Sequence, residues 1–168
     1  MKRPLAALVL AFPVVVFAAG FRSTELSDDQ RNLIITESDG ARFDAPKFPE
    51  QAEYSHPRIS ANGRYVGWLA LFPNCCTSYP IPLKLVVLDD SRQLHTFEGI
   101  RLAVFAWCFT ASSTSVAYSQ GVLHGSDFRH FELRRIADSH LLANYEYPHG
   151  EAEVARRHAP SWVRCVPE

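Results

Sequence analysis

Two stretches fifty positions apart carry the same pattern, and that echo narrows the fold more than any other feature of the chain. Ile59-Ser60-Ala61 recurs as Phe109-Thr110-Ala111, and Val66-Gly67-Trp68 recurs as Val116-Ala117-Tyr118. Further on, Leu88-Asp89-Asp90-Ser91 recurs as Ile136-Ala137-Asp138-Ser139, at an offset of 48. The change in offset falls in the long middle loop of the unit, where insertions are tolerated.

Each copy reads as four short strands. In the first, Arg58–Ser60 turns through Asn62-Gly63 into Tyr65–Leu71. A loop at Phe72–Pro82 leads to a strand at Leu83–Leu88, and a turn at Asp89–Arg92 leads to Gln93–Glu98. In the second, the strands are Ala103–Thr110, Ser115–Ser119, Arg129–Ile136 and Leu141–Tyr147, with the loop at Gln120–Phe128. A period of forty to fifty residues with four strands per period is the pattern of propeller blades. Two unrelated β-meanders are the competing reading.

Fragments flank the units. Leu33 to Phe43 overlays on Leu85 to His95, the third and fourth strands of a unit, with a turn at Ser38-Asp39-Gly40. Pro160–Val163 overlays on Pro57–Ser60 and predicts a first strand in the tail. Glu151 to His158 fits a helical turn. Ser23 to Gln30 is polar, with Ser27 and Gln30 at capping-box spacing, so a helical turn and a flexible arm both stand. Pro46, Pro49 and Pro57 predict a segment without regular structure.

The turn of the first unit, Ser60-Ala61-Asn62-Gly63-Arg64-Tyr65-Val66, resembles the S-P-D-G-R-x-I/V box of WD40-like repeats in TolB-type β-propellers. Ala61 stands for the Pro and Asn62 for the Asp. The second unit keeps the box loosely, as Thr110 to Val116, and loses the Gly and the basic residue. The likeness covers residues 56 to 147. It implies an architecture, and such scaffolds host many unrelated roles. Closed propellers have about four to eight blades. Two units therefore form either an open wedge or a ring completed by a second copy, in which the strand at Pro160–Val163 would join Leu33–Phe43 of that copy.

The expected fold is thus all-β: two propeller-like four-stranded antiparallel units, a partial β-propeller, with flanking strand fragments. Residues 1–18 read as a signal peptide, 19–55 as an N-terminal arm with a candidate hairpin, and 56–100 and 101–147 as the units. The tail is 148–168.

The signal reading rests on Lys2-Arg3, the uncharged run Leu5–Ala19, and small or β-branched residues at Val16-Phe17-Ala18. That run is shorter than the roughly 20 residues a membrane-spanning helix needs; an uncleaved anchor is the rival. Cleavage after Ala18 would remove Lys2 and Arg3 and leave 15 basic against 18 acidic residues, a net charge of −3. That is not the basic footprint of a nucleic-acid binder. The expected location is periplasmic or secreted, with no membrane span after cleavage.

Four cysteines, Cys75, Cys76, Cys108 and Cys165, would then meet an oxidising compartment and are disulfide candidates. Three full pairings exist. A Cys75–Cys76 bond would close a small strained ring, so pairing of one or both elsewhere is preferred. Cys165 with Cys75 or Cys76 would tie the tail to the body.

The candidate site lies on the loops joining second to third strands, which emerge on one face. The first holds Cys75, Cys76, Thr77, Ser78 and Tyr79; the second holds His124 and Asp127, with His130 just beyond. Irregular loops on a rigid scaffold are a common way to bind. A disulfide-pinned structural loop is the bland reading, and a Cys–His metal site the third, without C-x-x-C or H-x₃-H spacing. No G-x-S-x-G elbow, H-E-x-x-H motif or Gly-rich phosphate loop occurs. Trp68, Trp107 and Trp162 fall at predicted strand positions and read as core.

The functional expectation is a non-enzymatic exported binding module with no cofactor. Its partner is a protein or small molecule of unknown identity. The alternative is a metal-binding or enzyme-accessory protein using Cys75, Cys76, His124 and His130.

Overall fold

The computed structural model describes residues 20–99, 103–123, 128–148 and 152–167. Residues 1–18, His124 and Asp127 lie outside that range. Among the described residues eleven strands form three antiparallel sheets. The first sheet is β1 (Phe21–Leu26), β2 (Leu33–Glu37) and β3 (Arg42–Asp44), in that order. The second is the meander β4 (Glu53–Ile59), β5 (Tyr65–Phe72), β6 (Ile81–Asp89) and β7 (Leu94–Glu98). The third is the meander β8 (Ala103–Phe109), β9 (Ser115–Gly121), β10 (Phe128–Arg135) and β11 (Leu141–Pro148). Two short helices follow, α1 (Ala152–His158) and α2 (Ser161–Arg164). Both repeat units are therefore four-stranded sheets with propeller-like connectivity. Among the described residues no helix is long and apolar enough to cross a membrane.

Strand alternation sends opposite side chains to opposite faces, and it builds three cores between four layers. Phe21, Leu33 and Ile35 pack against Val66, Trp68, Val86 and Leu88 between the first and second sheets. Leu69, Leu85, Val87 and Phe97 pack against Trp107, Val116 and Tyr118 between the second and third. Ala117, Phe131 and Tyr147 pack against Ala159, Val163 and Val166 of the tail. The central strands β5, β6 and β9 are buried on both faces; β5 and β6 read as largely apolar runs, while β9 buries Ser115, Ser119 and Gln120 among its apolar residues.

The two repeat boxes make the same turn. Ser60 N–H donates to Tyr65 O and Gly63 N–H to Ser60 O; fifty residues later Thr110 N–H donates to Ser115 O and Ser113 N–H to Thr110 O. Gly63 has φ +71°, and Ser113, in its place, adopts +55°. The second box therefore keeps the left-handed turn without its glycine. Hydroxyls help: Thr110 Oγ1 and Ser112 Oγ meet at 3.1 Å, as Ser60 Oγ and Asn62 Oδ1 do at 2.8 Å.

Four expectations need correction. The tail segment Pro160–Val163 is not a strand: Ser161–Arg164 is helical, with Val163 wholly buried against the third sheet. The composite blade built on that strand loses its element, and Trp162 is a helix residue partly buried on the same core. Second, Cys165 pairs with Cys108, not with Cys75 or Cys76. The bond pins α2 over the outer face of the last sheet. Third, Phe21–Leu26 is a strand paired to β2, neither helix nor loose arm. Ser27 caps the following turn instead, accepting from Asn32 N–H at 3.0 Å while Gln30 sits at φ +58°. Fourth, the proline-spaced segment does hold a strand. Glu53–Ile59 pairs with β5 on both sides of a register shift between Ser55 and Arg58. Pro57 falls in that bulge on an edge strand, where its missing N–H breaks no ladder.

Gly67 explains one departure between the copies. It faces the next sheet, and a Cβ there would come 2.7 Å from Trp107 Cη2 and 3.0 Å from Val86 O. At the equivalent place Ala117 faces the helical tail instead of a tryptophan. Gly67→Ala should lower unfolding free energy by about 1–3 kcal/mol, the usual cost of overpacking. Urea unfolding should show a lower midpoint with unchanged slope; an unchanged midpoint would contradict the packing.

Candidate functional site

Antiparallel order divides the connections between two ends of the stack. Turns 38–41, 60–64, 90–93, 110–114 and 136–140 lie at one end, and none exceeds five residues. Among the described residues, the connections 27–32, 45–52 and 73–80 lie at the other. The two longest, 45–52 and 73–80, have eight residues each. The loop of the first repeat unit named from sequence is therefore at the end opposite the tight turns.

The loop between β5 and β6 carries Cys75, Cys76, Thr77, Ser78 and Tyr79. Both cysteines are free and exposed, with their sulfurs 2.8 Å apart. The contact with Cys75 holds the Cys76 thiol above its ordinary value. Thr77 Oγ1 donates to Tyr79 O at 2.6 Å, which tightens the loop tip. Tyr79 is 54% exposed. Phe128, the first residue of β10, is 52% exposed, and these are the most exposed large apolar side chains described.

His130 belongs to a strand, not to the loop. It stands in β10 opposite Gln120 of β9 and Glu146 of β11. Its Nδ1 faces Glu146 Oε1 at 2.5 Å and its Nε2 faces Glu132 Oε1 at 3.4 Å. Glu132 is wholly buried. It accepts from Tyr118 Oη at 2.5 Å and Arg134 Nε at 2.6 Å, and Arg134 also reaches Ser139 O at 2.9 Å. Burial pushes the Glu132 carboxyl up, but the bonds from Arg134 and Tyr118 outweigh it and hold the group below its ordinary 4.5. Burial and the adjacent carboxylate push the Tyr118 phenol up. With its oxygens engaged this way, Glu132 acts as a clamp tying β9 to β10. It is not placed to take a proton from a ligand.

One residue escaped the sequence reading. Gln120 is wholly buried near the loop end, and neither amide atom has a hydrogen-bond partner among the described residues. Its Oε1 leaves no room beside Gly99, where a Cβ would sit 2.9 Å away. The signal was an amide inside the apolar run Val116-Ala117-Tyr118-Ser119-Gln120. At the tight-turn end a shallow groove of about 490 Å³ is lined by Arg58, Ile59, Ala61 and Cys108–Ala111. Among the described residues no group of three or more His, Cys, Asp or Glu is arranged to hold a metal. His124 and Asp127 lie outside those residues, so the structure does not place them beside the Cys pair.

The chain matches no protein-family model, and no curated protein matches it. Among solved structures it is similar to the Pyrococcus horikoshii acylaminoacyl peptidase, with 11% identity and a TM-score of 0.46. That match covers 75% of this chain and 22% of the peptidase. It is also similar to the tricorn protease, with 14% identity and a TM-score of 0.42, over 67% of this chain and 13% of that one. The chain thus spans less than a quarter of either.

The depressed Glu132 carboxyl gives a signed prediction. Its contribution to stability is complete above the ordinary carboxyl value and is lost as pH falls through the lower folded value. Glu132→Gln should cost roughly 2–3 kcal/mol at neutral pH, as charged hydrogen bonds are removed. It should also flatten the acid side of the stability–pH curve. Denaturant titrations between pH 7 and pH 3 check this; a variant parallel to the wild type at every pH would contradict the clamp.

Proposed function

We propose that this protein is an exported, non-enzymatic binding module of the WD40-like, TolB-type propeller class, acting in the periplasm or outside the cell. The observation that carries the reading is the separation of the connections: the two longest lie on one end of a stacked scaffold, and turns of five residues or fewer close the other. A scaffold buried on both faces of its central strands holds such loops still, and rigid presentation lowers the ordering cost of binding. The exposed Tyr79 gives the end an amphipathic aromatic of the kind enriched at interface hot spots. The signal-like segment 1–18 and the box at Ser60–Val66 support the location and the class.

The free, adjacent thiols favour one second reading, metal binding through Cys75, Cys76, His124 and His130. His130 is already engaged by Glu132 and Glu146, which weakens that set.

The test is affinity capture from a cross-linked cell envelope with matched variants. Tyr79→Asp and Val122→Asp alter the loop end, and Leu94→Asp alters an exposed residue beside a tight turn. The loop-end variants should lose the wild-type partner by tenfold or more while Leu94→Asp retains it. Equal recovery from all three, or loss confined to Leu94→Asp, would overturn the reading. A stoichiometric metal in native mass spectra would favour the second.

A further inference from the structure

The four cysteines divide into two chemically different pairs. Cys108 is buried, and its Cα lies 6.0 Å from that of Cys165, within the range a relaxed disulfide adopts. The bond spans 57 residues and fastens the helical tail to the last sheet. Cys75 and Cys76 are free, exposed and adjacent, on an irregular loop stiffened by Pro73 and Pro80. Their sulfurs stand 2.8 Å apart. A disulfide needs about 2.05 Å, so the sulfurs close by about 0.75 Å while the intervening peptide distorts to shut the ring.

We propose that Cys75 and Cys76 form a reversible dithiol–disulfide centre, a redox modification site whose substrate is a low-molecular-weight disulfide such as glutathione disulfide. A bond between neighbouring residues closes a small ring through the intervening peptide. That ring is strained, and strained, exposed disulfides are the easily reduced, labile ones, whereas relaxed structural ones resist reduction. The same protein therefore holds one bond that stays closed and one that opens and closes with the redox state around it. The proposal does not depend on the loop end being a binding surface.

The chemistry balances as thiol–disulfide exchange. The Cys75 thiolate attacks one sulfur of the small disulfide; the S–S bond breaks and one small thiolate leaves. The Cys76 thiolate then attacks the Cys75 sulfur of the mixed disulfide. The Cys75–Cys76 bond forms and the second small thiolate leaves. Two electrons pass from the protein to the small disulfide, and the two thiol protons end on the two small thiols. Excess small thiol runs the sequence backwards. Either sulfur can attack first, because the two are adjacent, exposed and 2.8 Å apart.

The test uses the whole mature chain equilibrated in glutathione buffers from reducing to oxidising, quenched with iodoacetamide and mapped by peptide mass spectrometry. In reducing buffer Cys75 and Cys76 should both be alkylated while Cys108–Cys165 stays closed. In oxidising buffer both labels should be lost, with the peptide lighter by two hydrogens and free of glutathione. Returning the sample to reducing buffer should restore both labels. Cys75→Ser and Cys76→Ser should instead each carry one glutathione on the remaining thiol. Wild-type protein that keeps both labels in every buffer would overturn the proposal. So would glutathione adducts like those of the single variants, or an oxidised form that small thiol does not reopen.

Discussion

The indole of Trp107 lies on the bare backbone of Gly67 and donates through Nε1 to His56 O at 3.1 Å. Phe109 meets it edge-on at a centroid distance of 4.9 Å, and the Arg58 guanidinium lies 6.0 Å from the ring. One side chain from the third sheet thus reaches two strands of the second. The glycine admits the ring; the bulge at Ser55–Arg58 turns a backbone carbonyl toward its N–H. A buried indole N–H usually finds an acceptor, and here the irregularity of an edge strand supplies it. The order of the layers follows from this contact, because it fixes how the two repeat units face each other.

The ends of the stack are closed differently. On the first sheet, Arg42 and Glu25 pair at 2.6 Å on the face away from the core, where both are more than half exposed. On the last sheet, α1 and α2 cover Phe131 and Tyr147, and the Cys108–Cys165 bond holds them there. Outer edges are managed too: Pro57 and the bulge interrupt β4, an edge strand. These features leave the loop end, with residues 73–80, as the place where the chain departs most from its own repeat.

The fold was legible because strand periodicity and turn chemistry are local. Asn62-Gly63 and the fifty-residue echo placed seven of the eight strands of the two units to within two residues at each end; of the first, Glu53–Ile59, they caught only the last two residues. Ser113 shows why the echo survived a lost glycine, since the turn hydrogen bonds can hold a serine at positive φ. The tail was misread because Pro160-Ser161-Trp162-Val163 resembles a strand start in composition, while its helix depends on burial of Val163 against a sheet that is distant in sequence. The pairing of Cys108 with Cys165 is equally non-local. Of the candidate site, the loop residues 75–79 were legible as a departure from the repeat. The clamp at Glu132 was half legible: His130, Glu132 and Arg134 alternate on one strand and so share a face, but Tyr118 joins them only through the pairing of β9 with β10.

The central claim is that the repeat units form one cooperative stack through Trp107, carrying the loops on a rigid base. Native-state hydrogen exchange over a denaturant series tests it most directly. The account predicts that amides of β5 and β6 and amides of β9 and β10 merge into a single global unfolding isotherm, while 73–80 exchanges freely at all concentrations. Separate isotherms for the two sheets, with one opening while the other stays protected, would contradict it.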